Sequence, residues 1–187
     1  MPKIVDHELY RQELLGKSFH LFADRGYAAI TMRQLATGLG VSTGTLYHYF
    51  PSKQVIFEQM VLMRLAKSLN TFGDRLAQID SIREKVEATF AYYADVEVEA
   101  LREVMLCMDF FQYQQQQGGE NILTQVYDRI KPEVVRIFGL ADDDLVQLVV
   151  SALDGLLIAK IYGCQVNWQR QGELIGQLVE QCQNQSK

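Results

Sequence analysis

The apolar residues of this 187-residue chain recur at helical spacing almost from end to end, and only three prolines interrupt them. Leu15, Phe19 and Phe22 stand at i, i+4, i+7. Met32, Leu35, Ala36 and Leu39 stand at i, i+3, i+4, i+7, and Ile56, Met60 and Met63 repeat the interval. No alternating run bounded by turn residues competes as a strand. Breaks are expected at Gly26, at 38–41, at Pro51-Ser52, near Asp80-Ser81, at Gly118-Gly119, at 139–144 and between Gln165 and Gly172. The expected fold class is all-α with about nine helices. With 48% hydrophobic residues there is enough apolar material for one compact domain or two small ones.

Several chemistries find no support. Cys107, Cys164 and Cys182 are odd in number and far apart, with no C-x-x-C and no neighbouring histidine. Buried thiols, and neither a disulfide framework nor a metal site, are expected. Low-pKa redox chemistry at Cys107 would need a nearby base, and the sequence around it supplies none. All three histidines, His7, His20 and His48, fall in the first quarter. There is no G-x-S-x-G and no phosphate-cradling glycine loop, and Asp142-Asp143-Asp144 reads as an acidic helix start. An enzyme is not expected, and no cofactor or metal is implied. The stretch 145–164 is the most apolar, yet it carries Gln147, Asp154 and Lys160, so it reads as a buried helix and not a membrane span. With no apolar leader at the N-terminus, a cytoplasmic protein is expected. The run Gln114 to Gln117 before Gly118-Gly119 reads as a loop.

Charge sharpens the reading once it is divided. The whole chain has 18 Lys and Arg against 23 Asp and Glu, a net charge of −5, which argues against a nucleic-acid binder. Residues 1–55, however, hold six bases against four acids, so the first part is +2 and the remainder −7. The expected organisation is therefore a reading module at 1–55 and a body at 56–187 with a different task.

The densest signal runs from Thr31 to Lys53. Thr31 and Gln34 fit a capping box, and Met32, Leu35, Ala36 and Leu39 form one apolar face. Gly40 can take the left-handed conformation that stops the helix, Ser42 caps a second short helix, and Pro51-Ser52 restart the chain. Two short helices around a glycine turn suit a helix-turn-helix, whose second helix enters the major groove of DNA. Thr43, Gly44 and Thr45 are small enough for close approach to base edges, and Tyr47, His48, Tyr49 and Lys53 can reach phosphates. Leu46 and Phe50, four apart, are the expected core anchors.

The segment 14–60 resembles the DNA-binding domain of the TetR family of bacterial regulators. The resemblance rests on Leu21-Phe22-Ala23-Asp24-Arg25-Gly26-Tyr27, Thr31-Met32-Arg33-Gln34-Leu35-Ala36, Leu39-Gly40-Val41-Ser42, Gly44-Thr45-Leu46-Tyr47-His48-Tyr49-Phe50 and Ser52-Lys53. It implies an N-terminal three-helix helix-turn-helix domain, a C-terminal helical domain for ligand and dimer, and repression of a palindromic operator by a homodimer that a small molecule releases. An activator is the alternative within that resemblance, and an adaptor or enzyme without DNA binding the alternative outside it. Carried over by position, Thr43, Gly44, Thr45, Tyr47 and His48 face bases or flanking phosphates. Thr31, Tyr49 and Lys53 anchor phosphates, and Arg33 touches the backbone. Arg and Lys are missing from the reading helix, so dependence on dimerisation is expected.

Further along, Phe90, Tyr93, Met105, Cys107, Met108, Phe111 and Tyr127 belong to a stretch rich in aromatic and thioether side chains that suits a pocket for a small apolar or aromatic effector. Val146, Val149, Val150, Leu153, Leu157 and Ile161 make a helix apolar around most of its circumference, and Leu174 and Leu178 lie on an amphipathic final helix. The resemblance implies that these two helices pair with a second copy as a four-helix bundle. The partners expected are thus double-stranded operator DNA, an effector and a second copy, with no membrane.

Overall fold

The computed structural model describes residues 6–118, 122–140 and 142–185, and among them the chain forms nine α-helices and no strand. They are α1 (His7–Arg25), α2 (Met32–Leu39), α3 (Thr43–Tyr49), α4 (Lys53–Leu76), α5 (Ile82–Asp95), α6 (Glu97–Gln117), α7 (Ile122–Phe138), α8 (Asp143–Ile161) and α9 (Trp168–Gln185). Short polar side chains start most of them by accepting from otherwise unpaired backbone N–H groups. Asp6 does so for Glu8 N at 3.1 Å, Ser81 for Glu84 N at 3.4 Å, Asp142 for Asp144 N at 2.9 Å and Asn167 for Arg170 N at 3.0 Å.

The expected breaks hold at Gly26, at Pro51-Ser52, at Asp80-Ser81 and after Gly139, whereas Gly119 lies outside the described residues. Gln114 to Gln117, expected as a loop, form the last turn of α6 with Gln114 turned into the core, because glutamines are good helix formers and the first glycine comes only at Gly118. Two further boundaries differ. The helix expected to run to Cys164 ends at Ile161, and α9 begins at Trp168, so Gly172 stands inside a helix and not at a break. A further break at Val96 separates α5 from α6 with no glycine or proline. There ψ opens to 14° while Val96 N still donates to Tyr92 O at 3.1 Å and Ala100 N to Val96 O at 2.9 Å. Cys164, expected to be buried, is exposed in the segment after α8, and Cys107 and Cys182 are half-buried.

The chain divides into two compact units: Met1–Lys67 with Met105–Val126, and Ser68–Val104 with Tyr127–Lys187. Helices α4 and α6 each contribute to both. In the first unit the core is largely aromatic. Phe57 stacks on Phe110 with ring centroids 4.2 Å apart, and Tyr27 meets Phe110 edge-on at 4.6 Å, while Phe19, Phe22, Leu46 and Phe50 are sealed from solvent. Burying each such ring stabilises by about 1.5–3 kcal/mol before entropy is charged against it. The second unit is built on α5 and α9. Gly172 of α9 faces Phe90, where an added Cβ would lie 2.9 Å from the Phe90 Cβ, and Gly176 faces the Arg83 carbonyl at 3.0 Å. Glycines four apart thus let the two helix backbones approach. Val86, Phe90, Val149, Leu153, Leu157 and Val179 fill the same core.

Candidate nucleic-acid interface

The local chemistry read from 31–53 takes the expected form. Thr31 Oγ1 accepts from Gln34 N at 3.3 Å, and Gln34 Oε1 accepts from Thr31 N at 2.9 Å, closing the capping box that starts α2. Gly40 follows in the left-handed region (φ 72°, ψ 28°), a conformation that a Cβ would strain, and its N–H closes back on the end of α2. Ser42 Oγ then accepts from Thr45 N at 2.9 Å and starts α3. Leu35, Leu39, Leu46 and Phe50 point into the core of the first unit and fix the two helices to α1 and α4.

What α3 leaves outside is small and polar. Gly44 and His48 are exposed, and Tyr47 keeps 51% of its surface in solvent. Thr43 and Thr45 are half-buried, with the Thr45 hydroxyl 2.8 Å from that of Ser42. Arg33 projects from the exposed side of α2. Tyr49 is half-buried, its ring edge-on to Tyr10 at 5.5 Å and its hydroxyl 2.8 Å from His7 Nδ1. Thr31 through Tyr49 thus lie on one module, with Gly44, Tyr47 and His48 as the outward surface of α3.

Lys53, expected as a phosphate anchor, is engaged within its own chain. Its ammonium donates to the Tyr27 carbonyl at 2.6 Å and sits over the Tyr27 ring, 4.4 Å from the centroid, with Tyr113 at 5.4 Å. Burial holds its pKa below the ordinary lysine value, against the opposing pull of Asp109. The reason is geometric: Lys53 opens α4 beside the α1–α2 loop, whose carbonyls lie nearer than solvent. The same loop is gripped by Asp109 of α6, whose Oδ2 accepts from Tyr27 N at 2.5 Å and from Ala28 N at 3.4 Å. Sequence reasoning passed over Asp109 because 82 residues separate it from Tyr27. It passed over His7 because α1's first residue lies outside any motif.

The seven residues assigned to an effector site are divided between the two units. Phe90, Tyr93 and Tyr127 belong to the second unit; Met105, Cys107, Met108 and Phe111 belong to the first. Phe90 is fully buried as packing against α9, and Met105, Met108 and Phe111 are exposed, because α6 turns Leu106 and Phe110 inward. Besides the aromatic core of the first unit, a second aromatic group assembles in the second unit. Phe72 stacks on Tyr92 at 4.7 Å, Tyr92 meets Tyr93 at 6.1 Å, and Tyr93 and Phe90 approach Trp168 at 6.0 and 6.4 Å. Burial, aided by the charges of Asp154 and Glu103, pushes the Tyr93 phenol well above the usual tyrosine range. Trp168 Nε1 donates to Glu97 at 2.6 Å, and Lys160 lies 2.9 Å from the same carboxylate. Neither Phe72 nor Trp168 was among the expected residues.

The dimer set divides similarly. Val146, Val149, Leu153 and Leu157 are buried in the subunit's own core and offer no surface to a second copy. Val150 is half-buried, and Ile161, Leu174 and Leu178 keep 46%, 42% and 43% of their surface exposed. A helix apolar on nearly all sides needs cover, and α8 finds most of that cover within its own chain. Among the described residues no helix is long and apolar enough to cross a membrane.

Comparison with known proteins bears on the same segment. The sequence profile of "Bacterial regulatory proteins, tetR family" matches residues 14–60. The HTH-type transcriptional repressor KstR2 of Mycolicibacterium smegmatis is 43% identical over 51 residues, 27% of this chain and 25% of that protein. The HTH-type transcriptional regulator BetI of Brucella anthropi is 28% identical over 133 residues, 69% of this chain and 66% of that one. This chain therefore spans a quarter of the first relative and just under two thirds of the second. Among solved structures, a putative transcriptional regulator from Saccharomonospora viridis in complex with choline superposes with a TM-score of 0.69 at 18% identity, covering 93% of this chain and 97% of that one, which shows a shared all-α fold. Through its helix-turn-helix module at residues 14–60, the chain is similar to the tetR family of bacterial regulatory proteins.

Proposed function

We propose that the chain is a one-component transcriptional regulator: a homodimeric repressor of a palindromic operator, working in the cytoplasm and released by a small molecule. The observation that carries this reading is the outward face of α3, where Gly44, Tyr47 and His48 stand clear of a rigid aromatic core. A helix held this firmly can be laid into a major groove without repacking, and its small residues admit base edges. Tyr47 and His48 supply the contacts that long basic side chains supply elsewhere. Binding of duplex DNA from upstream of the chain's own gene tests it. Wild-type protein should bind with a clear salt dependence, and Tyr47→Ala should bind at least tenfold more weakly at unchanged thermal stability. Absence of salt-sensitive binding at every site tried defeats the reading.

The effector is assigned to the second unit, against the aromatic group of Phe72, Tyr92, Tyr93 and Trp168, and is expected to be flat and apolar or aromatic. Ring faces also accept small organic cations, so choline, the ligand of the Saccharomonospora viridis structure, belongs in the screen. The coupling route runs along α6, which begins with Glu97 beside Trp168 and reaches Asp109, the acceptor of the α1–α2 loop. A shift of α6 would move that loop and with it the seat of α2 and α3. Release of DNA by a compound that also quenches Trp168 fluorescence supports the assignment, and release without quenching counts against it.

A further inference from the structure

We infer that DNA binding by this chain takes up protons through His7 and His48, an imidazole pair where the start of α1 meets the end of α3. The inference rests on the regulator reading above and adds to it a residue outside the helix-turn-helix. The two rings lie 6.4 Å apart, edge to face, and both side chains are exposed. His7 Nδ1 and the Tyr49 hydroxyl share a hydrogen bond of 2.8 Å, and the Tyr49 ring lies 5.1 Å from His48. Helix α3 carries no Lys or Arg, so His48 is its one side chain able to become cationic.

Among the described residues, the neighbouring charges of α1 and its cap are engaged. The Asp6 carboxylate accepts from Glu8 N and Leu9 N, and Glu8 lies 3.8 Å from the Arg11 guanidinium and accepts from Gln12. Arg11 sits over the Phe50 ring and donates to Gln59 of α4. Among the described residues, Tyr49 of α3 lies against both rings, with Tyr10 of α1 edge-on to it.

Imidazoles change charge between pH 5 and 8, the window in which a phosphate placed against them favours the protonated form. Two imidazolium rings this close repel one another unless an anion lies between or beside them, so a bound phosphate and the protons stabilise each other. Protonated His7 must donate its Nδ1–H to the Tyr49 oxygen. The Tyr49 O–H is then released to donate to a phosphate. The neutral ring already carries its Nε2–H, so one proton adds one donor, the freed Tyr49 O–H, and one positive charge on His7, and binding of a phosphate tightens as pH falls.

The test uses fluorescence anisotropy of a duplex that the protein itself selects from randomised DNA, at fixed ionic strength between pH 8 and pH 6. Wild type is expected to bind about tenfold tighter at pH 6. The His7→Asn, His48→Asn double variant should change less than about twofold over the same range, and His20→Asn, whose ring packs beside Phe19, should keep the full wild-type response. Wild-type affinity independent of pH, or a double variant with an undiminished response, overturns the inference while leaving the regulator reading intact. Binding at no pH overturns both.

Discussion

Lys53 spends its charge on the protein's own backbone. Its ammonium is held by the Tyr27 carbonyl and by the Tyr27 ring, while Asp109 takes the Tyr27 and Ala28 N–H groups of the same loop. A loop between two helices has few backbone partners of its own, and here both its donors and its acceptors find charged ones. Lys53→Met, which keeps the stem and removes the charge, should lower stability by about 1.5–3 kcal/mol in urea unfolding. The slope of log affinity for DNA against log salt should stay at the wild-type value. A phosphate contact would instead reduce that slope by about one. The residue pattern of 31–53 disclosed the caps, the left-handed glycine and the core anchors, because each depends on neighbours within four positions. It could not disclose where the Lys53 side chain turns, since that depends on Tyr27 and on a carboxylate 56 positions further along the chain.

Close approach governs the helices of the second unit. Alanine at Gly172 puts a methyl 2.9 Å from the Phe90 Cβ and 3.3 Å from the Glu87 Cα, atoms that cannot swing away. Helix propensity favours alanine there by about 1 kcal/mol, but separating α5 from α9 forfeits packing along the whole contact. Gly172→Ala should therefore be destabilising on balance, by about 1–3 kcal/mol, whereas Gly155→Ala on α8, with open space at its Cβ, should stabilise slightly. Opposite signs in thermal melts check the argument. The glycine was legible in the sequence only as a helix breaker, because spacing alone does not reveal a facing helix. The Val96 break was not legible at all, since its residues are ordinary helix formers.

Glu97 adds a pH-dependent clamp between helices α6, α8 and α9. Trp168 Nε1–H first and Lys160 second hold its carboxyl below the usual carboxylate value. A carboxyl with a depressed folded-state pKa stabilises the fold above its unfolded pKa, and that contribution disappears as pH falls through the folded value. Glu97→Gln retains an acceptor for Trp168 but no titration. The melting temperatures of wild type and variant should thus differ at pH 7 and converge between about pH 5 and pH 3. Because the group is near the surface, the difference should stay at about 1 kcal/mol or less.

Over the whole chain the charge follows the contact units. Met1–Lys67 with Met105–Val126 holds eight Lys and Arg against seven Asp and Glu, a net of +1, and the rest holds ten against sixteen, a net of −6. A reading unit so close to neutral gains little from non-specific attraction to phosphates. On the proposed operator reading, affinity would come from joining two such units, where the second contact forms at high effective concentration. For the proposed dimer, the surface offered is Val150, Ile161, Leu174 and Leu178, the part of the apolar set on α8 and α9 that the subunit does not consume in its own core. Leu174→Asp with Leu178→Asp places charges one helical turn apart on that face while sparing Val179 and Gly176 behind it. Wild type should be dimeric by light scattering at micromolar concentration. The variant should be monomeric, should melt cooperatively, and should bind the full operator about a hundredfold more weakly. A half-site duplex should bind both proteins equally per protomer, since each protomer offers one α3. A variant that stays dimeric would move the interface elsewhere, and equal loss on half-site and full operator would point to damage in the reading unit.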